Sequence, residues 1–292
     1  LSVCVDSSAA NYVNMSGSTS QLVSDPTSCI YLGCKDSMAA NFDPIANEDD
    51  LSCDYPTVSA QLASYGYLQD CLVFIDTNGD QMYDSGEPSG VSNSGGRVAA
   101  TNYVHPEVVF VRPSAAGECT DTITNEALAV PLATTVSANM ATPLTTIAVF
   151  LQLNYDLSSA DASSTLWRSF SLAPQSVWTF DALMAAQSSL PAFQVDDTLW
   201  LVRQTQTMQI VGAVAAMFDS TDSDGLDSRT AAGLATFSAF AQIVHGGQVT
   251  LTDAGNVTRL IQLTADLLGA SYNASGTQGT AEEIARIAQG IE

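Results

Sequence analysis

Basic residues are scarce in this 292-residue chain: Lys35 is its one lysine, and 8 Lys+Arg stand against 31 Asp+Glu. The formal net charge is −23. Nucleic acids and anionic lipid surfaces bind proteins through clustered Lys and Arg. The composition therefore argues against a nucleic-acid partner and against a charged membrane surface.

Long hydrophobic runs are also missing. The longest strongly apolar run, Ile210–Phe218, is far shorter than the roughly 20 residues that a membrane-spanning helix needs, so no membrane span is expected. No signal peptide or initiator Met is visible, which predicts either a processed chain or a fragment of a longer precursor.

Motifs of the common enzyme classes are absent from the sequence. It has no G-x-S-x-G, no H-E-x-x-H and no phosphate-binding glycine-rich loop, and His105 and His245 are isolated. Paired carboxylates are abundant in so acidic a chain, which leaves glycosidase chemistry open. We expect a protein that is not an enzyme.

Cysteine is confined to the first 119 residues, and its even number favours a disulfide framework. A zinc site is the alternative, but the C-x₂-C spacing that it prefers does not occur. Three N-glycosylation triplets agree with a secreted, glycosylated chain. The six cysteines are Cys4, Cys29, Cys34, Cys53, Cys71 and Cys119, and the triplets begin at Asn14, Asn256 and Asn273.

An internal repeat organises the N-terminus. The segment Cys4–Tyr12 aligns with Cys34–Phe42, and the two units end alike at Asp25–Tyr31 and Asp50–Tyr55. Six cysteines permit 15 pairings, and the repeat selects Cys4–Cys29 with Cys34–Cys53. On the chain-entropy model each such bridge stabilises its small unit by roughly 3 kcal/mol.

A β-rich stretch follows the repeats. Short apolar runs at Cys71–Ile75, Val98–Thr101 and Val108–Val111 are separated by Gly, Ser and Asn clusters, which predicts a small antiparallel sandwich. Cys71 and Cys119 flank this stretch, so a third disulfide between them would close it.

Helical periodicity begins at Thr142, where Thr142-Pro143 predicts a helix N-cap and first position. A capping box at Thr280–Glu283 predicts the start of the last helix. Trp167, Trp178 and Trp200 fall in the predicted helices or their joins, where core packing is expected. The intervening helices are predicted at about 159–170, 180–190, 197–218, 228–245 and 253–269, with the last at 280–291.

The most specific motif is an acidic loop between two apolar runs. Oxygen-bearing side chains fall at positions 1, 3, 5, 9 and 12 of the loop, and a main-chain carbonyl falls at position 7, as in calcium loops. An acidic hairpin turn without metal is the alternative reading. The predicted calcium ligands are Asp76, Asn78, Asp80, Met82, Asp84 and Glu87.

Three regions of the chain resemble known modules. Gly33–Tyr55 resembles the G-C-x-D-x-x-A-x-N-[YF]…D-D-x-S-C-x-Y repeats of modular surface and secreted proteins. The segment Val73–Pro88 resembles the opening of Sdr-type B-repeat and carboxypeptidase-regulatory-like β-sandwiches, and this resemblance implies calcium binding. The helical region, including Val202–Val211, resembles an all-helical module that often follows such a sandwich in large secreted surface proteins.

The sequence thus predicts a multidomain α+β protein: cysteine repeats at 1–31 and 32–56, an Ig-like antiparallel β-sandwich at 57–135 and an α-helical domain at 136–292. We expect an extracellular, cell-surface structural protein. It would be a homo-oligomer or homopolymer through its N-terminal repeats, forming a filament or a glycocalyx or matrix layer. An adhesin or carbohydrate-binding ectodomain is the alternative.

Overall fold

A computed structural model describes residues 2–14, 16, 23–35, 39, 41–53, 58–100, 108–112, 118–187, 195–218, 226–270 and 274–289. The fold is mixed α+β, with several small sheets and, within those ranges, seven α-helices. The chain divides into two compact units. The first comprises Leu1–Thr57 with Thr101–Pro106, and the second comprises Val58–Ala100 with Glu107–Glu292.

The first unit contains two copies of a two-stranded parallel sheet. Strand β1 (Ser2–Val3) pairs with β2 (Val23–Ser24), and β3 (Leu32–Gly33) pairs with β4 (Glu48–Asp49). Two-residue strands bury little apolar surface, so each sheet depends on the disulfide that closes its unit.

The second unit begins with the β-rich stretch. Its strands are β5 (Val58–Leu62), β6 (Leu68–Gln69), β7 (Leu72–Ile75), β8 (Ser89–Val91), β9 (Arg97–Ala100), β10 (Val108–Val111), β11 (Thr120–Asp121), β12 (Leu132–Thr135) and β13 (Met140–Ala141). One sheet has the order β12-β10-β7-β8 and is antiparallel throughout, as predicted. A second sheet has the order β13-β5-β9, and β13 runs parallel to β5. That sheet is therefore mixed, where the sequence predicted antiparallel pairing.

The rest of the second unit is helical. The helices are α1 (Pro143–Tyr155), α2 (Ser159–Ser169), α3 (Ala182–Gln187), α4 (Val195–Phe218), α5 (Leu226–His245), α6 (Ala254–Leu268) and α7 (Ala274–Gln289). Helix α1 begins where the Thr142-Pro143 pair predicted, and the Thr142 hydroxyl accepts from the Thr145 amide at 3.1 Å. Helix α7 begins six residues before the predicted capping box at Thr280.

The core of the second unit is made by its helices and its larger sheet. Phe170 and Phe240 pack between α2 and α5 with ring centroids 6.0 Å apart, and Phe74 stacks on Phe110 across neighbouring strands at 5.8 Å. All four rings are buried. Among the helices of the described ranges, none combines the length and apolarity needed to cross a bilayer.

Candidate functional site

The acidic loop is the turn of a β-hairpin. It joins β7 to β8, and the Ile75 amide donates to the Pro88 carbonyl at 2.9 Å, which closes the hairpin just below the loop. Asp76 and Glu87 stand at its two ends and are 7% and 8% exposed. Two carboxylates buried this deeply require compensating partners.

Backbone amides supply those partners. The Asp76 carboxylate accepts from the amides of Gly79 at 2.7 Å and Gln81 at 2.9 Å. Glu87 accepts from the amides of Thr77 at 2.9 Å and Asp84 at 3.1 Å. Gly79 has φ +79°, a left-handed conformation that glycine adopts without strain. The chain therefore wraps around its two buried carboxylates.

The middle of the loop brings two further carboxylates together. The Asn78 amide nitrogen donates to Asp80 Oδ2 and to Asp84 Oδ2, both at 2.9 Å. The Asp80 Oδ1 atom accepts from the Met82 amide at 2.8 Å. Oxygens of Asp80 and Asp84 thus converge on one point, which a single N–H₂ group occupies.

Three of the six predicted calcium ligands, Asn78, Asp80 and Asp84, therefore share one locus, while Asp76 and Glu87 face backbone amides. Within the described residues, no group of three or more His, Cys, Asp or Glu is arranged to hold a metal ion. The donor set still suits a hard cation, because each carboxylate oxygen that accepts one hydrogen bond keeps a second lone pair. A half-turn of the Asn78 amide would present its oxygen to the same point.

The cysteines form the three predicted pairs. Cys4 bonds Cys29, Cys34 bonds Cys53 and Cys71 bonds Cys119, and no cysteine is free. Three disulfides indicate an oxidising environment, extracellular or secreted.

The two cysteine repeats share one hydrogen-bond pattern. The Val13 amide donates to the Cys4 carbonyl at 2.8 Å, and the equivalent Asp43 amide donates to the Cys34 carbonyl at 2.9 Å. Asn11 donates to the Ser28 carbonyl at 2.6 Å, as Asn41 does to the Ser52 carbonyl at 2.7 Å. The repeat found in the sequence is therefore a structural repeat.

Acidic side chains of the repeats stabilise turns. Asp43, Asp49 and Asp50 each accept from the backbone amide two residues further on, at 2.9, 3.0 and 2.9 Å. The hydroxyl and amide of Ser52 lower the pKa of Asp50. Asp side chains commonly stabilise turns in this way, by accepting from the amide two residues on.

One asparagine joins the two repeats. Asn47 of the second repeat accepts from the Tyr31 amide at 2.9 Å and donates to the Cys29 carbonyl at 2.7 Å. The Tyr31 carbonyl in turn accepts from the Asn47 amide at 3.0 Å. The end of the first repeat is thus held on the second, a role that a lone asparagine in a loop does not reveal in the sequence.

The glycosylation triplets differ in their surroundings. Asn14 is exposed, and its Oδ1 accepts from the Ser16 amide at 2.9 Å. Asn256 is half-buried in the first turn of α6 and donates to the Thr250 carbonyl at 3.1 Å. Asn273 lies outside the described residues. Of the two described asparagines, Asn14 is the better placed to carry a glycan.

Known proteins give no further guide. Compared with protein-family models, with curated proteins and with solved structures, the chain matches none of them.

Proposed function

We propose that this is a non-enzymatic extracellular structural protein, a repeating subunit of a cell-surface filament or of a glycocalyx or matrix assembly. In this proposal the cysteine repeats bind a neighbouring protomer, and the second unit forms the body of the subunit. Each disulfide and the calcium loop would stabilise the subunit against the conditions outside the cell.

The main support is the distribution of exposed apolar side chains. Half of the large hydrophobic residues that are exposed in the described ranges belong to the first unit, which is about a fifth of the chain. Ile45 is 68% exposed and Leu51 is 89% exposed. Single exposed apolar residues are ordinary, but such a concentration on a small, disulfide-closed unit is typical of an interaction surface.

Short sheets with open edges give a second argument. Strands β1 to β4 make two separate two-stranded sheets, so within the described residues of the first unit each strand pairs with one partner and keeps a free edge. Free edges pair readily with strands of another chain. Because Asn47 fixes the two repeats to each other, both would be presented together to a neighbouring protomer.

Calcium enters this proposal as a stabilising ion. Asn78, Asp80 and Asp84 would hold it, with Asp76 and Glu87 anchoring the loop through their backbone hydrogen bonds. The negative charge of the loop supports calcium binding there. Four carboxylates within twelve residues repel one another, and a dication relieves that repulsion. Extracellular calcium modules commonly bind at about 10⁻⁴ to 10⁻³ M.

Assembly can be tested on the purified chain with matched variants. Sedimentation velocity and negative-stain electron microscopy in millimolar calcium should show oligomers or filaments. Ile45→Thr with Leu51→Asn should reduce them to monomers. Leu51 has φ +61°, a conformation that asparagine adopts more readily than leucine, so this variant should remain folded.

The control removes two exposed apolar side chains from the second unit. Met184→Thr with Leu267→Asn, at residues that are 63% and 48% exposed, should leave assembly unchanged. A wild-type chain that stays monomeric at every concentration would refute the proposal. Equal loss of assembly in both variant pairs would refute the assignment of the contact to the repeats.

A further inference from the structure

A large open cavity lies in the helical part of the second unit. It has a volume of about 720 Å³ and lies where the C-terminal ends of α2 and α5 meet. Cavities of roughly 300–1,000 Å³ are the usual size of small-molecule sites. Besides Ser169, the polar and aromatic residues described in its lining are Thr165, Trp167, Arg168, Ser171, His245 and Gln248.

The cavity walls are fixed by hydrogen bonds. Ser169, at the end of α2, donates its hydroxyl to the Val244 carbonyl of α5 at 2.8 Å. Its own carbonyl accepts from the Val249 amide at 2.8 Å. Both atoms belong to a buried residue, so the two helix ends and the segment after α5 form one rigid frame. A ligand would therefore meet a preformed site.

Two basic side chains line the cavity, and each is held against an aromatic ring. The Arg168 guanidinium lies 5.2 Å from the centroid of the Trp167 ring. His245 stacks on Tyr155 with ring centroids 3.8 Å apart and planes 5° apart. Both basic residues are exposed. Their ring contacts restrict their rotamers and so reduce the entropy that a ligand contact would cost.

The charge of the cavity is opposite to that of the chain. Among the described residues that line it, none is Asp or Glu, although the chain carries 31 acidic and only 8 Lys+Arg residues. Basic side chains in the lining attract an anionic group, and no acidic side chain described there repels it. The planar guanidinium of Arg168 matches a carboxylate in bidentate geometry.

We propose that this cavity binds a saccharide that carries a carboxylate, such as a uronic acid residue. Arg168 binds the carboxylate, and His245 offers a ring nitrogen beside it. The ring hydroxyls of the sugar pair with Thr165, Ser171 and Gln248, which supply both donors and acceptors. The half-buried Trp167 packs against the sugar ring. This site is independent of assembly through the cysteine repeats.

Tryptophan fluorescence offers a direct assay. Trp178 and Trp200 are buried, and their indole nitrogens donate to the carbonyls of Ser159 at 2.9 Å and Ala173 at 3.2 Å. Trp167 alone among the three is half-buried and lines the cavity. Trigalacturonate, titrated at physiological salt, should therefore change the emission saturably, and Trp167→Phe should remove most of that change.

The neutral methyl ester of the same trisaccharide is the matched ligand control, and acetate tests the carboxylate alone. Both should bind more weakly than trigalacturonate. Arg168→Gln should weaken binding by about tenfold or more, since it removes a charge-assisted contact. Arg259→Gln, an equal charge change on an exposed residue of α6 outside the cavity lining, should leave the affinity unchanged.

Thermal unfolding of each variant, followed by circular dichroism, separates lost binding from lost folding. Gln248→Ala provides a second cavity variant on an exposed residue after α5 and should also weaken binding. Equal affinity for the ester and the acid would overturn the role of the carboxylate. If acetate binds as tightly as the trisaccharide, the cavity recognises the carboxylate alone and the proposed sugar contacts are wrong. If no probe binds, the whole proposal is overturned.

Discussion

The backbone amide of Ala133 donates a hydrogen bond of 2.8 Å to the hydroxyl of Thr146. Ala133 lies in β12, Thr146 lies in the first turn of α1, and neither is accessible to solvent. The Ala133 carbonyl accepts from the Thr145 hydroxyl at 2.7 Å. Side chains of the first helix therefore satisfy both polar backbone groups of a strand residue, which ties the β-rich stretch to the helices within one unit.

This bond can be tested with a substitution that preserves shape. Thr146→Val removes the acceptor and leaves the Ala133 amide buried without a partner, which should lower the free energy of unfolding by about 1–3 kcal/mol. The neighbouring Thr134 is the control, since its buried hydroxyl has no hydrogen-bond partner among the residues that the structure describes. Thr134→Val should be neutral or stabilising. Urea denaturation measures the free energy of unfolding of both variants. Equal losses would contradict a stabilising hydrogen bond between Ala133 and Thr146.

Calcium should stabilise the chain through the acidic loop. At a calcium concentration about ten times the dissociation constant, the free energy of unfolding should rise by about 1.4 kcal/mol. Asp80→Asn with Asp84→Asn should abolish the effect, because both carboxylates that converge on Asn78 are lost. Asp266→Asn, on an exposed residue of α6, should retain it. A melting temperature that a chelator does not change would remove calcium from the proposal.

The Cys71–Cys119 disulfide should be needed for the stability of the second unit. It links positions 48 residues apart, and both sulfurs belong to buried residues. Replacing both cysteines with alanine should lower the free energy of unfolding by about 2–5 kcal/mol, since the unfolded chain regains the freedom of the closed loop. Guanidinium unfolding of the variant measures this loss, and an unchanged midpoint would show that the bridge contributes little.

Tyr65 should ionise at a higher pH than an ordinary tyrosine, and its ionisation should lower the free energy of unfolding at alkaline pH. Burial, followed by the charges of Glu126 and Asp121, raises its pKa from 10.0 to about 12. The folded chain holds this proton more tightly than the unfolded chain, so the associated stability is fully present below pH 10 and is lost as the pH rises towards 12. The difference in phenolate absorbance between wild type and Tyr65→Phe isolates this titration.

A second variant tests the cause of that shift. Glu126→Gln removes one of the two nearby charges and should lower the pKa of Tyr65 towards its ordinary value of 10.0. An unchanged titration would show that the charge of Glu126 contributes nothing to the shift. Asp121 is unsuitable for this test because its carboxylate accepts four backbone amides, among them those of Tyr65 at 3.0 Å and Gly66 at 2.7 Å.

Local signals predicted much of the fold. The start of α1 followed from Thr142 and Pro143, because a cap and a proline act within one turn. Two of the cysteine pairs followed from aligning two copies of one unit, and the third from the cysteines that flank the β-rich stretch. The start of α7 was missed, since Ala274–Gly279 is rich in small and polar residues and has no apolar periodicity.

Contacts between distant segments could not be predicted. The parallel pairing of β13 with β5 involves only two residues of β13, too few to leave a pattern in the sequence. Arg168 and His245 meet in one cavity because α2 and α5 end side by side, and neither residue stands in a motif. For the predicted calcium ligands, spacing placed Asn78, Asp80 and Asp84 in one loop. It did not show that the side chain of Asn78 would bond both carboxylates.

The three disulfide bonds also determine how the chain would respond to a pulling force. The disulfides join cysteines that are 25, 19 and 48 residues apart. A force that pulls the two ends of the chain apart is therefore carried by each S–S bond, and the residues between the two cysteines are not stretched. Between the first two loops the covalent path is the short segment Ile30–Gly33, and the hydrogen bonds of Asn47 run beside it. Each residue that is pulled into an extended conformation would lengthen the chain by about 3.3–3.6 Å. Most of the first 119 residues lie inside a disulfide-closed loop, so they cannot be extended until a reductant breaks the disulfides.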